Sequence, residues 1–280
     1  MSYPINYPTP QGANIQTFPK SGAFDWVKPQ GASFVWFTLI GGGGGGSSHS
    51  SNNGGSAGGS GAVTNFMGPA FLMPDVLRVS VGSGGAGTPQ GVSANGTTGG
   101  ETSIIYQQKD GTGYTLLTAN GGTGGGANGG AGGAGGTAST SNNFSCMGFF
   151  QSIAGQEGVS GSGTSVSAST TTFLSGGAAG PNDVATAGGS VTANYGYVAA
   201  GGAATNTSDP VKGNPYFQFS PIIVGLGGAG GGATNAGSTP GAPGGNGGNG
   251  CGGGGGGRGN AGFTGRGGNG GDGLVVIITW

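Results

Sequence analysis

The sequence predicts an all-β chain, almost free of α-helix, whose strands are joined by long glycine tracts that pack into a bundle of polyglycine II helices. Three observations lead there. Apolar runs pass repeatedly into glycine: Phe34–Ile40 into Gly41–Gly46, Val76–Val81 into Gly82–Gly87, Tyr114–Ala119 into Gly121–Gly136, and Tyr216–Val224 into Gly225–Gly232. The order reverses at the end, where a tract closing at Gly273 leads into Leu274–Trp280. No window places apolar residues at i, i+3, i+4 and i+7 on good helix formers. Finally, 77 of 280 residues are glycine and only 5% are charged, yet 8% are aromatic and gathered in short runs. Disordered chains are usually highly charged and poor in aromatics, so this composition supplies a modest core.

The elements follow in order. Residues 1–20 carry Pro4, Pro8, Pro10 and Pro19 and read as an extended arm able to dock on a partner, with residues 21–280 forming a single domain. Ala23–Lys28 alternates, with Phe24 and Trp26 on one face, and Pro29-Gln30-Gly31 is a turn. Phe34–Ile40 is apolar on both faces, which predicts a strand covered on both sides, or a Trp36 facing a subunit neighbour. Phe66–Met73 reads as a short apolar insert broken by Pro69 and Pro74. Val76–Val81 turns Leu77, Val79 and Val81 inward. Thr102–Gln107 and Tyr114–Ala119 are strands joined through Lys109-Asp110-Gly111, a hairpin signal. Residues 143–153 form a second apolar cluster, and residues 155–210 are weakly patterned. Tyr216–Val224 is a strand pair or a bent strand interrupted at Pro221. Leu274–Trp280 is an interior strand of the main sandwich, near Phe34–Ile40, because a run with two apolar faces invites aggregation at an exposed edge.

Among readings of the glycine tracts, a flexible linker conflicts with their position between strands. Collagen needs glycine at every third position and abundant proline, and Gly-Gly pairs break that frame. A polyglycine II helix has three residues per turn and no internal hydrogen bonds, so its N–H and C=O groups point outward and need partners. Ordering a residue costs roughly 1–2 kcal/mol while one hydrogen bond returns about 0.5–1.5 kcal/mol. An isolated tract cannot order on those terms; a set held together by a β-scaffold can. In a GGX triplet every X falls along one edge, where it faces solvent or caps the lattice.

The sequence also excludes chemistry. Gly82, Gly84 and Gly87 fit GxGxxG, with Glu101 at the distance of a ribose-binding acid, but no helix former follows to offer its N-terminus to a pyrophosphate. Gly54-Gly55-Ser56-Ala57-Gly58 fits GxSxG, but the single histidine, His49, lies only seven residues before it. One His and the distant Cys146 and Cys251 do not make a zinc site, and acidic residues are isolated. Asp272 reads as a turn residue. The two cysteines read as buried free thiols in preference to a bridge. No catalytic, cofactor or metal residues are expected. With a net charge of −1 and no basic run, nucleic acid is not an expected partner, and no apolar run is long enough to span a bilayer. The N-terminus has no secretory signal pattern.

The stretch WVKPQGASFVWFTLIGGGGGG resembles the opening of the glycine-rich domain of bacteriophage tail-fibre and virion-surface proteins. VLRVSVGSGGAGTPQG and YTLLTANGGTGGG look like its second and third blocks, and GGNGGDGLVVIITW is similar to its closing strand. The order of the blocks, over roughly residues 20–280, carries the resemblance. Related domains in receptor tyrosine kinases place glycine insertions in a jelly-roll-like β-sandwich, and adhesins of T-even-like phages stack polyglycine II helices. The chain departs from the receptors in its few cysteines and lack of a membrane span, and from the adhesins in the strands that separate its tracts.

The resemblance implies a non-enzymatic virion-surface protein, a tail-fibre or spike component that assembles in the host cytoplasm and contacts a host-surface glycan or protein receptor. A capsid decoration, turret or repeating extracellular fibre subunit is the structural alternative, and an exported cell-surface matrix protein a further one. Other virion proteins would be held through the N-terminal arm. A homo-oligomer is expected, a trimer by analogy with fibres and spikes. Receptor contacts are expected at loops at the free end of the bundle. The candidates are Phe66 and Phe71 in residues 62–73, Phe144, Phe149 and Phe150 in 141–153, and Tyr195, Tyr197 and Tyr216 in 194–217. The alternative for Phe144, Phe149 and Phe150 is that they plug the sandwich.

Overall fold

A computed structural model describes residues 12–49, 53–127, 129–139, 147–183, 185–194, 196–204, 225–235, 239–260 and 264–280. Among them there is no α-helix, only a 3-10 turn at Ala70–Leu72. Twelve strands form β1 (Asn14–Phe18), β2 (Gly22–Val27), β3 (Phe34–Ile40), β4 (Val63–Pro69), β5 (Val76–Val81), β6 (Thr102–Gln107), β7 (Gly113–Ala119), β8 (Phe149–Ile153), β9 (Val166–Ser167), β10 (Val191–Thr192), β11 (Val198–Ala199) and β12 (Leu274–Thr279). One sheet has the order β1-β12-β3-β4-β8 and a second β2-β5-β6-β7, both antiparallel throughout. A third pairs β11, β10 and β9. Strands β1, β2 and β3 alternate between the two large sheets, and the last strand slots between the first and third, a jelly-roll-like connectivity.

The inner faces of the two large sheets bury one core. Val35, Phe37, Phe66, Val275 and Ile277 meet Trp26, Leu77, Val79, Ile104 and Leu117. Phe37 is its centre, edge-on to Trp26 at 5.6 Å between ring centroids and tilted against Phe66 at 6.4 Å. Such aromatic pairs add about 0.5–1.5 kcal/mol each beyond area burial. As the two-faced apolar pattern predicts, Leu274–Thr279 is interior, with Ile277 opposite Phe37 on β3 and Gln16 on β1.

Several expectations are corrected. Residues 14–18, placed in the arm, form a strand that covers the edge of β12. The first half of the insert at Phe66–Met73 is the end of strand β4, pairing with β3, and the second half is the 3-10 turn, because Pro69 sits at the strand's end where the chain turns. Residues 149–153 are strand β8, and the weakly patterned region holds β9–β11. β3 is covered on both faces only at its bundle end: Val35, Phe37 and Leu39 are buried on the inner face, and on the outer face Ile40 is buried with Leu174 and Cys251 while Phe34 and Trp36 are exposed. Tyr216–Val224 and Cys146 lie outside the described residues.

The glycine tracts leave the sandwich at one end, where β3, β5 and β7 finish and β4 and β12 begin. Their hydrogen bonds have a period of three. Gly41, Gly44 and Ser47 donate to Ala62, Gly59 and Ser56; Gly42 and Gly45 to Gly100 and Thr97; Gly43 and Gly46 to Gly271 and Gly268. Successive residues thus face three different neighbours, the signature of three residues per turn. The carbonyls of the same helix accept from Gly122 and Gly125, from Gly85 and Thr88, and from Gly253 and Gly256. It therefore sits at the centre of a hexagon of six chains. Gly252–Gly257 is a second such centre. It donates to Ser175 and Ala178, to Gly44 and Ser47, and to Gly245 and Ala242, and it accepts from Gly228 and Gly231, Gly58 and Gly55, and Gly268 and Gly265.

The long tracts are several helices, not one each. Residues 120–126 and 131–136 run antiparallel, with Thr123 donating to Ala134 and Gly126 to Ala131. The chain reverses between them at Gly129, whose φ is +67°, and Gly250 does the same at +71° before the second centre. Glycine takes this left-handed turn without steric cost. Along the outer helices the expected edge of X residues is visible: Thr123, Ala131 and Ala134 are exposed while Gly122, Gly125 and Gly133 are buried.

Candidate binding surfaces

Polar side chains of the bundle complete the lattice where a neighbouring helix is missing. Asp272 Oδ1 accepts from the Gly84 N–H at 2.8 Å, and Asn269 Oδ1 from the Gly87 N–H at 2.9 Å, three residues apart on both chains. Asn95 accepts from Ala127 and Asn182 from Gly54 in the same way, while Ser60 accepts from Gln156 and Ser175 from Gly227 inside the lattice, where both serines are fully buried. Asp272, read as a turn residue, is thus an edge cap; its second oxygen accepts from the Ser21 N–H at 3.2 Å. Ser56, the serine of the GxSxG match, donates its hydroxyl to the Gly130 carbonyl at 2.6 Å. The glycines of the GxGxxG match lie in a polyglycine helix whose Gly85 and Thr88 donate to the central one.

The sequence-predicted contact residues scatter. Phe66 is fully buried in the sandwich core. A ring enclosed there touches no outside partner, so it is removed from the candidates. Phe150 is partly buried and packs against the same core, as the plug reading has it. Phe149, its neighbour on β8, points the other way and is 55% exposed on the outside of the five-stranded sheet. Tyr197 packs against the small apolar cluster of β9–β11. Phe71 is 80% exposed, but at the sandwich end opposite the bundle, not at the bundle's free end. Phe144, Tyr195 and Tyr216 lie outside the described residues.

Two surfaces remain. At the sandwich end, Phe71 stands over a cleft of about 350 Å³ shared with Val27, Lys28, Pro29, Ala70 and Asp75. The 3-10 turn positions Phe71 there, and Lys28 anchors the turn by donating to the carbonyls of Met73 at 2.8 Å and Ala70 at 3.3 Å. Lys28 Nζ also pairs with the exposed Asp75 carboxylate at 2.8 Å. Val27, Leu72 and Val76 are exposed beside it. The cleft therefore combines an exposed ring with a cation, a carboxylate and backbone carbonyls.

The second surface is the outer face of the five-stranded sheet. Pairing register places Ile15, Ile278, Trp36, Met67 and Phe149 opposite one another in a single row across all five strands. Sequence reading found only Trp36 and Phe149 of these. The rest become visible only once sheet order is known.

The family model described as a glycine-rich domain matches residues 18–280. The chain belongs to this glycine-rich domain family. The match begins at the last residue of β1 and ends with the residue after β12, so it spans strands of both large sheets together with the bundle. A comparison with curated proteins found no match.

Proposed function

We propose that this glycine-rich domain is a non-enzymatic component of a bacteriophage virion surface, a tail-fibre or spike module that contacts the host cell. The observation that carries the proposal is the construction of the bundle. Two glycine helices, each hydrogen-bonded to six neighbours, form a stiff body whose polar side chains cap backbone rather than converge on a cleft. A body of that kind suits display and load-bearing. The block order shared with phage glycine-rich domains supports the setting.

The host contact is assigned to the Phe71 end. An exposed aromatic ring stacks on the apolar face of a sugar, and the exposed Asp75 carboxylate, held by Lys28, accepts hydrogen bonds from its hydroxyls. A surface glycan is the ligand class that this mixture fits.

Binding of the purified, fluorescently labelled domain to susceptible host cells, and to glycans extracted from their envelope, tests this reading. The expected result is saturable binding that falls at least tenfold in Phe71→Ala, with the thermal transition unchanged. Absence of binding, or equal binding by Phe71→Ala, would overturn the host-contact assignment. Imaging of antibody-labelled particles separates a tail position from a shell position.

A further inference from the structure

We infer that the outer face of the β1-β12-β3-β4-β8 sheet is a self-association surface that takes the same face of a second copy of this chain. The row Ile15–Ile278–Trp36–Met67–Phe149 crosses the whole sheet, with Ile15 50%, Trp36 40% and Phe149 55% exposed. Beside it, on the side away from the bundle, Phe34 stacks on Trp280 with ring planes 19° apart, and Phe34 is itself exposed. On the bundle side the next row is Thr17, Val276, Thr38, Asn65 and Gln151. In that row the Thr38 hydroxyl already donates to Asn65 Oδ1 at 2.9 Å. An apolar ridge with a polar border is the anatomy of an interface, and monomers rarely expose contiguous apolar patches of this extent.

Charge identifies the occupant. None of the five strands carries a charged residue. The other large sheet has Asp25 opposite Arg78 on neighbouring strands, the usual protection of an exposed sheet. A face without charge offers nothing to steer or orient an acidic or basic partner. It meets its own copy without like-charge repulsion, and two such faces satisfy each other by apolar contact. Area sets the strength. Five strands at about 4.8 Å spacing and five residue levels at about 3.3 Å, those of residues 34–38 on β3, span roughly 24 by 16 Å, since Ile40, Val63 and Leu274 beyond them are covered by Leu174 and Cys251. Two such faces bury about 770 Å² of planar area, more with side-chain relief, the size of a weak, concentration-dependent association below about 1,200 Å². A two-fold axis parallel to β3 sets Trp36 against Trp36, with Ile278 over Met67 and Ile15 over Phe149. Self-association through this face does not depend on where the domain is displayed.

Sedimentation equilibrium of the full chain across a micromolar concentration series tests the surface, alongside Trp36→Glu and Phe71→Glu. The expected result is a monomer–dimer equilibrium in the wild type and in Phe71→Glu, with the dissociation constant raised at least tenfold in Trp36→Glu. Melting curves confirm that each variant is folded; if Trp36→Glu is not, Phe149→Glu at the sheet's outer strand replaces it. A wild-type chain that stays monomeric, an oligomer unchanged in the outer-face variant, or one dissociated by Phe71→Glu instead would overturn the inference.

Discussion

Cys251 shows how far single-residue reading reaches. The sequence pointed to a buried free thiol, and the structure encloses Cys251 with Ile40, Val63, Leu174 and Leu274 where the bundle meets the sandwich. Burial pushes the thiol up to about 12 from its ordinary 9.0, against a smaller opposing pull from the Ser175 backbone. The folded state therefore holds this proton more tightly than the unfolded one. The resulting stability is fully present below about pH 9 and is lost as pH rises from there towards 12. Native protein at about pH 8 is expected to resist iodoacetamide at Cys251, while urea-unfolded protein reacts, as read by peptide mass spectrometry. Denaturant melts should also show a smaller loss of stability between pH 9 and pH 11 in Cys251→Ala than in wild type; equal losses would place the pH sensitivity elsewhere. Burial was less legible at Phe66 and Phe71. Both sit in one apolar run, yet one ring fills the core and the other is 80% exposed. The difference lies in the end of β4 at Pro69 and the turn that follows, which a run of apolar letters does not reveal.

At the scale of the element, unbroken glycine marks the tightest crowding. The two runs of six glycines, Gly41–Gly46 and Gly252–Gly257, each have six neighbours, and so does the helix of residues 54–62, bonded to residues 41–47, 120–123, 133–136, 156–159, 177–180 and 250–256. That third helix encloses nothing larger than the alanine and serine side chains of Ala57, Ala62, Ser56 and Ser60, all fully buried, and in the two glycine runs backbone occupies every direction. A methyl group added at Gly44 would overlap the carbonyl of Thr123, backbone that cannot swing aside. Peripheral helices lack a neighbour on one side and admit Thr, Ala, Asn or Asp there. Gly44→Ala is therefore expected to destabilise by roughly 3 kcal/mol or more. Ala134→Ser, on an exposed edge, should change stability by less than about 0.5 kcal/mol. Thermal melts of the two variants check the contrast, and similar melting temperatures would refute the hexagonal packing. The strands that precede or follow glycine were legible because composition changes abruptly at their ends: β3, β5, β6, β7 and β12 fall where the pattern puts them. β4 and β8 were not, since Gly68 and Pro69 interrupt one and the other is short. The reversals at Gly129 and Gly250 were hidden because a turn glycine within a glycine tract carries no mark of its own.

Across the whole molecule, β12 joins the two bodies. It ends the polyglycine helix of residues 264–273, whose Gly268 and Gly271 accept from the central helix, and it passes directly between β1 and β3. Removing Leu274–Trp280 would leave β1 and β3 separated by an empty strand position of about 4.8 Å on either side. It would also strip Leu274, Val275 and Ile277 from the interior, all at most 2% exposed. At about 1.5–3 kcal/mol for each buried side chain, the direct loss is roughly 5–9 kcal/mol, before the unpaired backbone of β1 and β3 is counted. Whole domains are stable by about 5–15 kcal/mol. The lattice would lose its anchor at the same stroke, since glycine helices gain too little from each hydrogen bond to stay ordered without the sandwich holding their ends. The truncated chain is therefore expected to be insoluble, or soluble with no cooperative melting transition by circular dichroism. A soluble truncation that melts as the full chain does would mean that the bundle and the remaining strands stand without β12, and the single-unit architecture would have to be abandoned.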